Sequence, residues 1–491
     1  MQMRYLWLFL LVCGISFKGV AQRRPINTEA EIAGAVVNGP QTPFWLRSNQ
    51  YGIIPLEGSF VTARAGAFRH YIVADSSRPS PKKLDWGVGV QSVLNVVFST
   101  KQKEILWPEI YAKGKWGKFE IFAGRRRELF GIGDSTLSSG FVAWSGNAIP
   151  FPKIQLQTID YVPLTFLKSI IAFKGSFAHG WFTVPYMENA FFHQKTLYAR
   201  FGKPHWRLQI YAGLNHQVQW GGKADYLLGT DFAVNGQLPS TFRDYLSVLT
   251  GHYPDDLSND RYTVFDGTNR IGNHVGSYDF GIEWKHSDWN VLLYHQHPYE
   301  DASGLAFQNF PDGLTGLRLL RRGSAQKIPL RHLVIEWLST TNQSGAIFDP
   351  QATYQGTDNY FNHGQYKEGW SYQEHTLGTP FIAPRPTLAA ALAQIPAGGF
   401  FPNNQVRMVY LATAWQLSSA LSLQTRSSFS QNLGSFSNLY TPAISQFSNM
   451  IGANWQLPHL QGFALHASFA FDQGDLLPPS YAGFFGLKKK W

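Results

Sequence analysis

The chain has 491 residues, a formal net charge of +10 and only 15% charged side chains, where a soluble domain usually carries about 25%. A hydrophobic content of 44% excludes intrinsic disorder, and beyond the extreme N-terminus no apolar run approaches the ~20 residues that a spanning helix needs. Aromatics at 15%, with 46 glycines and 27 prolines spread from end to end, predict one continuous architecture of strands and turns.

The N-terminus stands apart. Arg4, an apolar stretch from Tyr5 to Ile15 and then Lys18-Gly19-Val20-Ala21 read as a secretory signal over residues 1–21, cleaved after Ala21. The rest, 22–491, reads as one barrel domain. The only cysteine, Cys13, lies inside the signal, and bulky Val12 before it argues against a lipoprotein. Loss of Arg4 and Lys18 leaves the mature chain near +8 and without a thiol, so a disulfide, a thiolate metal site and a cysteine nucleophile are all excluded.

Downstream, apolar residues recur with a period of two. Such segments lie near 59–73, 84–98, 105–124, 155–162, 169–178 and 195–203, and again from Trp206 to Leu214 and Tyr278 to Lys285. They continue near 289–297, 331–339, 405–415 and 420–430, then from Phe463 to Phe471. Alternation alone fits a soluble sandwich as well as a membrane barrel. The aromatics near strand ends (Trp86, Trp107, Trp116, Trp206, Trp284, Trp289, Trp337, Trp415, Trp455) fit the girdles of a barrel at two membrane interfaces. The final strand adds Phe485, Leu487 and Trp491 on one face, with an aromatic as the last residue, similar to the terminal signal read by the outer-membrane barrel insertion machinery. Lys489 interrupts that face and is expected to snorkel toward head groups.

These features predict an all-β, antiparallel outer-membrane barrel. With about 9–11 residues per strand, 16 to 20 strands use under half of the chain and leave long connections. Two short helices are expected near 239–250 and 387–394, capping or plugging the barrel. In the first, Ser240 or Thr241 serves as N-cap and Phe242, Leu246 and Leu249 share a face.

Sites of catalysis are not indicated. Gly133-Asp134-Ser135-Thr136-Leu137 is similar to an esterase nucleophile block but lacks the Asp-x-x-His partner near the C-terminus, and no Walker loop or His-Glu-x-x-His occurs. His295 and His297 share a strand face, which suits lumen or surface histidines better than a metal site. Neither metal nor cofactor is expected. Arg125, Arg126 and Arg127 end a strand, and guanidinium forks bind carboxylate or phosphate in two-point geometry. The segment Tyr360 to Tyr372, with His363, Tyr366, Trp370 and Tyr372, combines flat rings with imidazole and hydroxyl groups suited to sugar. These seven are the candidate polysaccharide-binding residues, with lipid contact or loop packing as the competing reading. Nucleic acid is a poor explanation of the charge, which is not concentrated on one element.

Several blocks resemble one family. Pro43-Phe44-Trp45-Leu46-Arg47-Ser48-Asn49-Gln50-Tyr51-Gly52, Leu137-Ser138-Ser139-Gly140 and Asn147-Ala148-Ile149-Pro150-Phe151-Pro152 are similar to the capsule-assembly Wzi family of outer-membrane proteins, in its Bacteroidetes-type form. Gly213-Leu214-Asn215-His216, Trp220-Gly221-Gly222, Gly369-Trp370-Ser371-Tyr372 and Gly378-Thr379-Pro380 continue the match. The resemblance implies an 18-stranded barrel with a small helical portion toward the periplasm. It also implies a non-enzymatic, lectin-like role in attaching capsular polysaccharide or exopolysaccharide to the cell surface. Gly140, Asn147 and Pro150 look like turn chemistry. Further expected partners are outer-membrane lipids, lipopolysaccharide and the insertion machinery. The alternative is a channel or export conduit for polysaccharide or small solutes.

Overall fold

A computed structural model describes residues 26–72, 82–323, 329–349 and 352–491. The expected signal segment and Cys13 lie outside these residues. The strands, in chain order, begin with β1 (Ile26–Asn38), β2 (Phe60–Arg69), β3 (Leu84–Val97), β4 (Lys103–Trp116) and β5 (Phe119–Arg125). A sixth stave, β6, is broken into Lys153–Thr158 and Val162–Pro163, both paired with β7 (Ile171–Trp181). Then come β8 (Phe191–Phe201), β9 (Leu208–Trp220), β10 (Asn273–Lys285), β11 (Trp289–Tyr299), β12 (Gly313–Arg321) and β13 (Leu330–Ser339). The last five are β14 (Gln405–Gln416), β15 (Leu421–Ser435), β16 (Asn438–Gln456), β17 (Phe463–Gly474) and β18 (Ser480–Lys490).

Each stave pairs antiparallel with its chain neighbours, and β18 returns to β1 with Ala35 opposite Phe484 and Glu29 opposite Lys490. The result is a closed 18-stranded barrel, which leaves no unpaired sheet edge. Ile26 and Trp491 lie at one rim, whose connections are short turns apart from 70–83. The opposite rim carries the long connections 39–59, 126–152, 221–272 and 340–404. Outer-membrane barrels keep short turns toward the periplasm and long loops outside, which orients this one.

The alternating faces resolve as expected. Outward positions are exposed and apolar, among them Leu208 and Ile210 on β9, Phe280, Ile282 and Trp284 on β10, and Val409 and Leu411 on β14. Such a wall is stable only against hydrocarbon. Trp86, Trp116, Trp284 and Trp455 ring the short-turn end, and Trp107 and Trp337 mark the other. Lys489 faces outward, its ammonium 4.3 Å from the Phe463 ring centre and 5.9 Å from that of Trp491, bonded to the Gln461 carbonyl. The charge thus curls back to the interface.

The helical segments occupy the long-loop rim and the lumen, while the short-turn rim carries a 3-10 turn at Thr165–Leu167. The helix Phe242–Thr250 begins at a capping box between Thr241 and Asp244 and lies on the outside of the wall. Its barrel side is Tyr245 and Val248, against Val218, Trp220 and Ile271. Phe242 (75% exposed) and Leu246 (47%) point away. The expected Phe242–Leu246 face is therefore the lipid-side face, because the helix has apolar surroundings on both sides. Near 387–394 the structure has a 3-10 turn, Arg385–Thr387, followed by one helical turn, Ala390–Ala393.

Candidate functional site

The lumen holds two kinds of surface. Toward the long-loop rim, the connections 39–59, 126–152 and 340–404 fold inward and pack on one another. Phe44-Trp45-Leu46-Arg47 forms a single helical turn whose first three side chains are buried. It is fixed by Phe44 N donating to Asp472 Oδ2 at 2.8 Å and Trp45 Nε1 donating to Ser428 Oγ at 3.1 Å. The strap 126–152 crosses beside it: Asn49 N donates to Asn147 Oδ1 at 2.7 Å, and Asn147 Nδ2 donates to the Gly378 carbonyl at 2.9 Å. Gly140 adopts φ +124°, and a Cβ there would stand 2.5 Å from Pro380 Cδ, so only glycine lets the strap and the 378–380 segment meet.

Strand residues anchor the strap from the wall. Glu336 accepts from Ser138 Oγ (2.7 Å), Ser139 N (2.6 Å) and Tyr294 Oη (2.5 Å), and Gln296 Oε1 accepts from Val142 N (2.9 Å). Asp134 accepts from Thr136 N and Leu137 N and pairs with His332 Nε2 at 2.7 Å. Burial alone would raise the Asp134 carboxyl; the hydrogen bonds from His332, Leu137 and Thr136 outweigh it and hold the pKa down to about 2. Asp134 thus acts as a turn anchor beside Ser135. Sequence reasoning missed Glu336, Gln296 and His332, because a lone polar residue on an inward strand position carries no motif.

The candidate aromatics belong to this packed layer. Trp370 is 0% exposed and donates from Nε1 to the Ala143 carbonyl at 2.8 Å. Tyr372 lies between Phe151 and Phe182, at 5.1 Å from each ring centre. Tyr366 donates to the Gly221 carbonyl at 3.1 Å. His363 is half-buried against Phe265 and Tyr366, and burial lowers its pKa to about 4, so it is neutral at physiological pH. Tyr366, Trp370 and Tyr372 therefore have no open ring face on which a sugar can stack. The competing reading, loop packing, describes their positions.

Toward the short-turn rim the lumen is polar and open. Arg126 lies in it, in ion pairs with Glu120 (2.6 Å) and Glu128 (3.0 Å) and with its guanidinium 4.0 Å from the Phe122 ring centre. Arg127 Nη2 donates to Gln91 Oε1 at 2.5 Å and its guanidinium stands 5.2 Å from the Tyr51 ring centre. It lines a cavity of about 170 Å³ with Glu29, Glu31, Tyr51, Arg64 and Lys488. Arg125, at the end of β5, is half-buried. The structure therefore separates the candidates: Arg126 and Arg127 border the polar half, Tyr366, Trp370 and Tyr372 form the closed half, and Arg125 pairs across the strands with the outward Ile110. Among the described residues no group of three His, Cys, Asp or Glu is arranged to hold a metal ion.

The model of one protein family, described as "Capsule assembly protein Wzi", matches residues 37–382. The chain belongs to the Wzi family. A solved structure described as Wzi of Escherichia coli, an outer-membrane protein involved in group 1 capsule assembly and a carbohydrate-binding β-barrel, shares the fold. Its TM-score is 0.56 at 14% identity, covering 94% of this chain and 83% of that one. OccK5 of Pseudomonas aeruginosa (TM-score 0.46, 9% identity, covering 95% and 98%) and OccAB4 of Acinetobacter baumannii (0.43, 9%, 96% and 99%) also match. Comparison with curated proteins finds no match. The blocks that resemble the Wzi family converge in the structure: Phe44 to Tyr51, Ser138 to Gly140, Asn147 and Gly378 to Pro380 meet in the lumen through the contacts given above, and Tyr366 ties the Gly221 turn to them. What these Wzi blocks build is the closure of the barrel.

Proposed function

We propose that this protein is a lectin-like outer-membrane barrel that binds capsular polysaccharide or exopolysaccharide and holds it on the cell surface, without catalysing a reaction. The observation that carries this reading is the family match over residues 37–382, which takes in the connections that close the lumen. A barrel with loops packed across it suits anchoring better than conduction. Arg125 and Arg127 are the candidates for acidic groups of the polymer, since Arg126 is committed to Glu120 and Glu128. Many weak contacts along one chain sum by avidity to firm attachment. Export by a cleaved signal over 1–21, insertion through the terminal Trp491 strand and contact with lipopolysaccharide belong to the same proposal.

The test is deletion of the gene followed by quantification of cell-bound and shed polysaccharide. Loss of the bound fraction with unchanged total supports anchoring; unchanged retention overturns it. Planar-bilayer recordings separate the alternative, for a conduit gives steady conductance whereas a closed barrel does not.

A further inference from the structure

On the outer wall, the strands β11 to β14 carry a groove of about 670 Å³ at the long-loop end, lined by His295, Phe310, Trp337, Asn342 and Arg407. The strand register arranges its outward residues in layers. Ser339 pairs with Arg407 in the layer nearest the rim. Below it run His295, Thr315, Trp337 and Val409, each opposite the next across the staves. Below that run Leu293, Leu317, Ile335 and Leu411, an aliphatic row continuous with the hydrocarbon-facing belt. Cation, aromatic and aliphatic therefore follow one another from the rim into the membrane.

Arg407 is exposed, and its guanidinium meets no ion pair, hydrogen bond or ring among the described residues. An unpaired arginine on the lipid-facing side is costly unless an anion or water reaches it. Trp337 (49% exposed) and Phe310 (63%) offer open apolar surface beside it, and His295 Nε2 is a buried ring nitrogen without a partner in the groove wall. The groove continues into the wall that hydrocarbon covers, so its occupant has an acyl part. We propose that it binds an anionic glycolipid of the outer leaflet, with a phosphate on Arg407, a sugar against Trp337 and Phe310, and acyl chains on the aliphatic row. This contact rests on the lipopolysaccharide contact proposed above and gives it a site; it is independent of polysaccharide binding by the lumen arginines, so either can fail while the other stands.

The test uses the mature chain in phosphatidylcholine nanodiscs containing bisphosphorylated lipid A, with retained lipid read by native mass spectrometry. Wild-type barrels are expected to keep lipid A, Arg407→Gln to keep at least fivefold less, and Trp337→Leu to fall between them. Lys103→Gln, at an exposed cation elsewhere on the same rim, is expected to match wild type. Retention of the folded, heat-resistant form on gels checks each barrel. Equal retention by wild type and Arg407→Gln overturns the proposal, as does an equal loss in Lys103→Gln or retention of phosphatidylglycerol as strong as that of lipid A.

Discussion

The two halves of the lumen solve opposite problems, the one toward the loops with inward-folded connections and the one toward the short turns with inward-facing strand residues. The half toward the loops is dry: Trp144, Phe151, Phe182, Phe192, Trp370 and Tyr372 pack into one cluster. The half toward the short turns is laced with charge pairs, Arg64 with Glu31 at 3.1 Å, Lys488 with Glu29 at 2.8 Å and Arg318 with Glu283 at 3.0 Å. Apolar burial closes the first half, at roughly 25 cal/mol per Å². Paired charges keep the second half wet and add little stability of their own. An aromatic in this barrel is therefore a closing element, and an arginine beside open lumen is the better ligand candidate.

The largest effect that breaks this division is expected from Trp370→Ala. Removing a fully buried indole from the packed half leaves a cavity and costs about 3–5 kcal/mol. Chemical unfolding should show the loss, and planar-bilayer recordings should show a conductance larger than that of the wild type. Unchanged conductance with wild-type stability would place the closure elsewhere.

Next in size is Glu336→Ala. It strips the acceptor from Ser138 Oγ, Ser139 N and Tyr294 Oη, at a cost of about 1–3 kcal/mol for the buried donors left unpaired. Proteolysis should then cut the strap 126–152 while the wall stays intact. Glu336→Gln, which keeps an acceptor, is expected to lose less. Equal protection of the strap in Glu336→Ala and wild type would remove Glu336 as its anchor.

A smaller effect separates two buried acids of the long-loop connections by pH. Asp266 lies buried in the helical turn Val264–Thr268 and accepts from Gln365 Nε2 at 2.9 and 3.0 Å. Burial, the largest influence, lifts its pKa from 3.8 to about 7 despite the Gln365 bond. An acid raised in the fold favours folding when protonated, so its contribution is full below pH 3.8 and is lost as pH rises through about 7. Asp134, held down to about 2, has the opposite sign and contributes above pH 3.8. Hydrogen-exchange protection of 221–272, taken relative to the intrinsic amide rate at each pH, should therefore rise on acidification from pH 8 to 5, and Asp266→Asn should abolish that rise. A pH dependence unaltered in Asp266→Asn would sink this assignment.

How much of this was legible in the chain follows from what each residue faces. Outward strand positions meet one environment, hydrocarbon, so β9, β10 and β17 announced themselves as clean alternation. β12 did not, because Leu314 is buried inward while Leu317 and Leu319 face outward, which blurs the period. β1 was missed for a related reason: its inward side changes from Glu29 and Glu31 in the wet half to Ala33 and Ala35 in the dry half. On β9 the outward His216, Val218 and Trp220 are buried beneath the helix Phe242–Thr250, so protein takes the place of lipid there. The family blocks were legible as local motifs, but that Asn49, Asn147 and Gly378 meet depends on long-range closure that no spacing encodes. For the same reason the ring-rich segment 360–372 read equally well as a sugar platform or as packing.

The smallest expected effect on stability is the most informative about function. Arg126 and Arg127 are neighbours in sequence but differ in commitment. Replacing Arg126 with Gln leaves Glu120 and Glu128 short of a cation, so it perturbs the wall as well as any ligand. The Arg127 side chain donates to the neutral Gln91, stands over Tyr51 and borders the cavity with Glu109 as an electrostatic neighbour beyond ion-pair contact, so Arg127→Gln is expected to cost less in unfolding than Arg126→Gln. If Arg127 holds an acidic group of the polymer, cells carrying Arg127→Gln should retain several-fold less polysaccharide at low ionic strength. The deficit should narrow at high salt, where a Debye length of about 3 Å at 1 M screens the wild-type contact too. Unchanged retention at low ionic strength would remove Arg127 from the site, and an equal deficit at every salt concentration would point to lost shape and not lost charge.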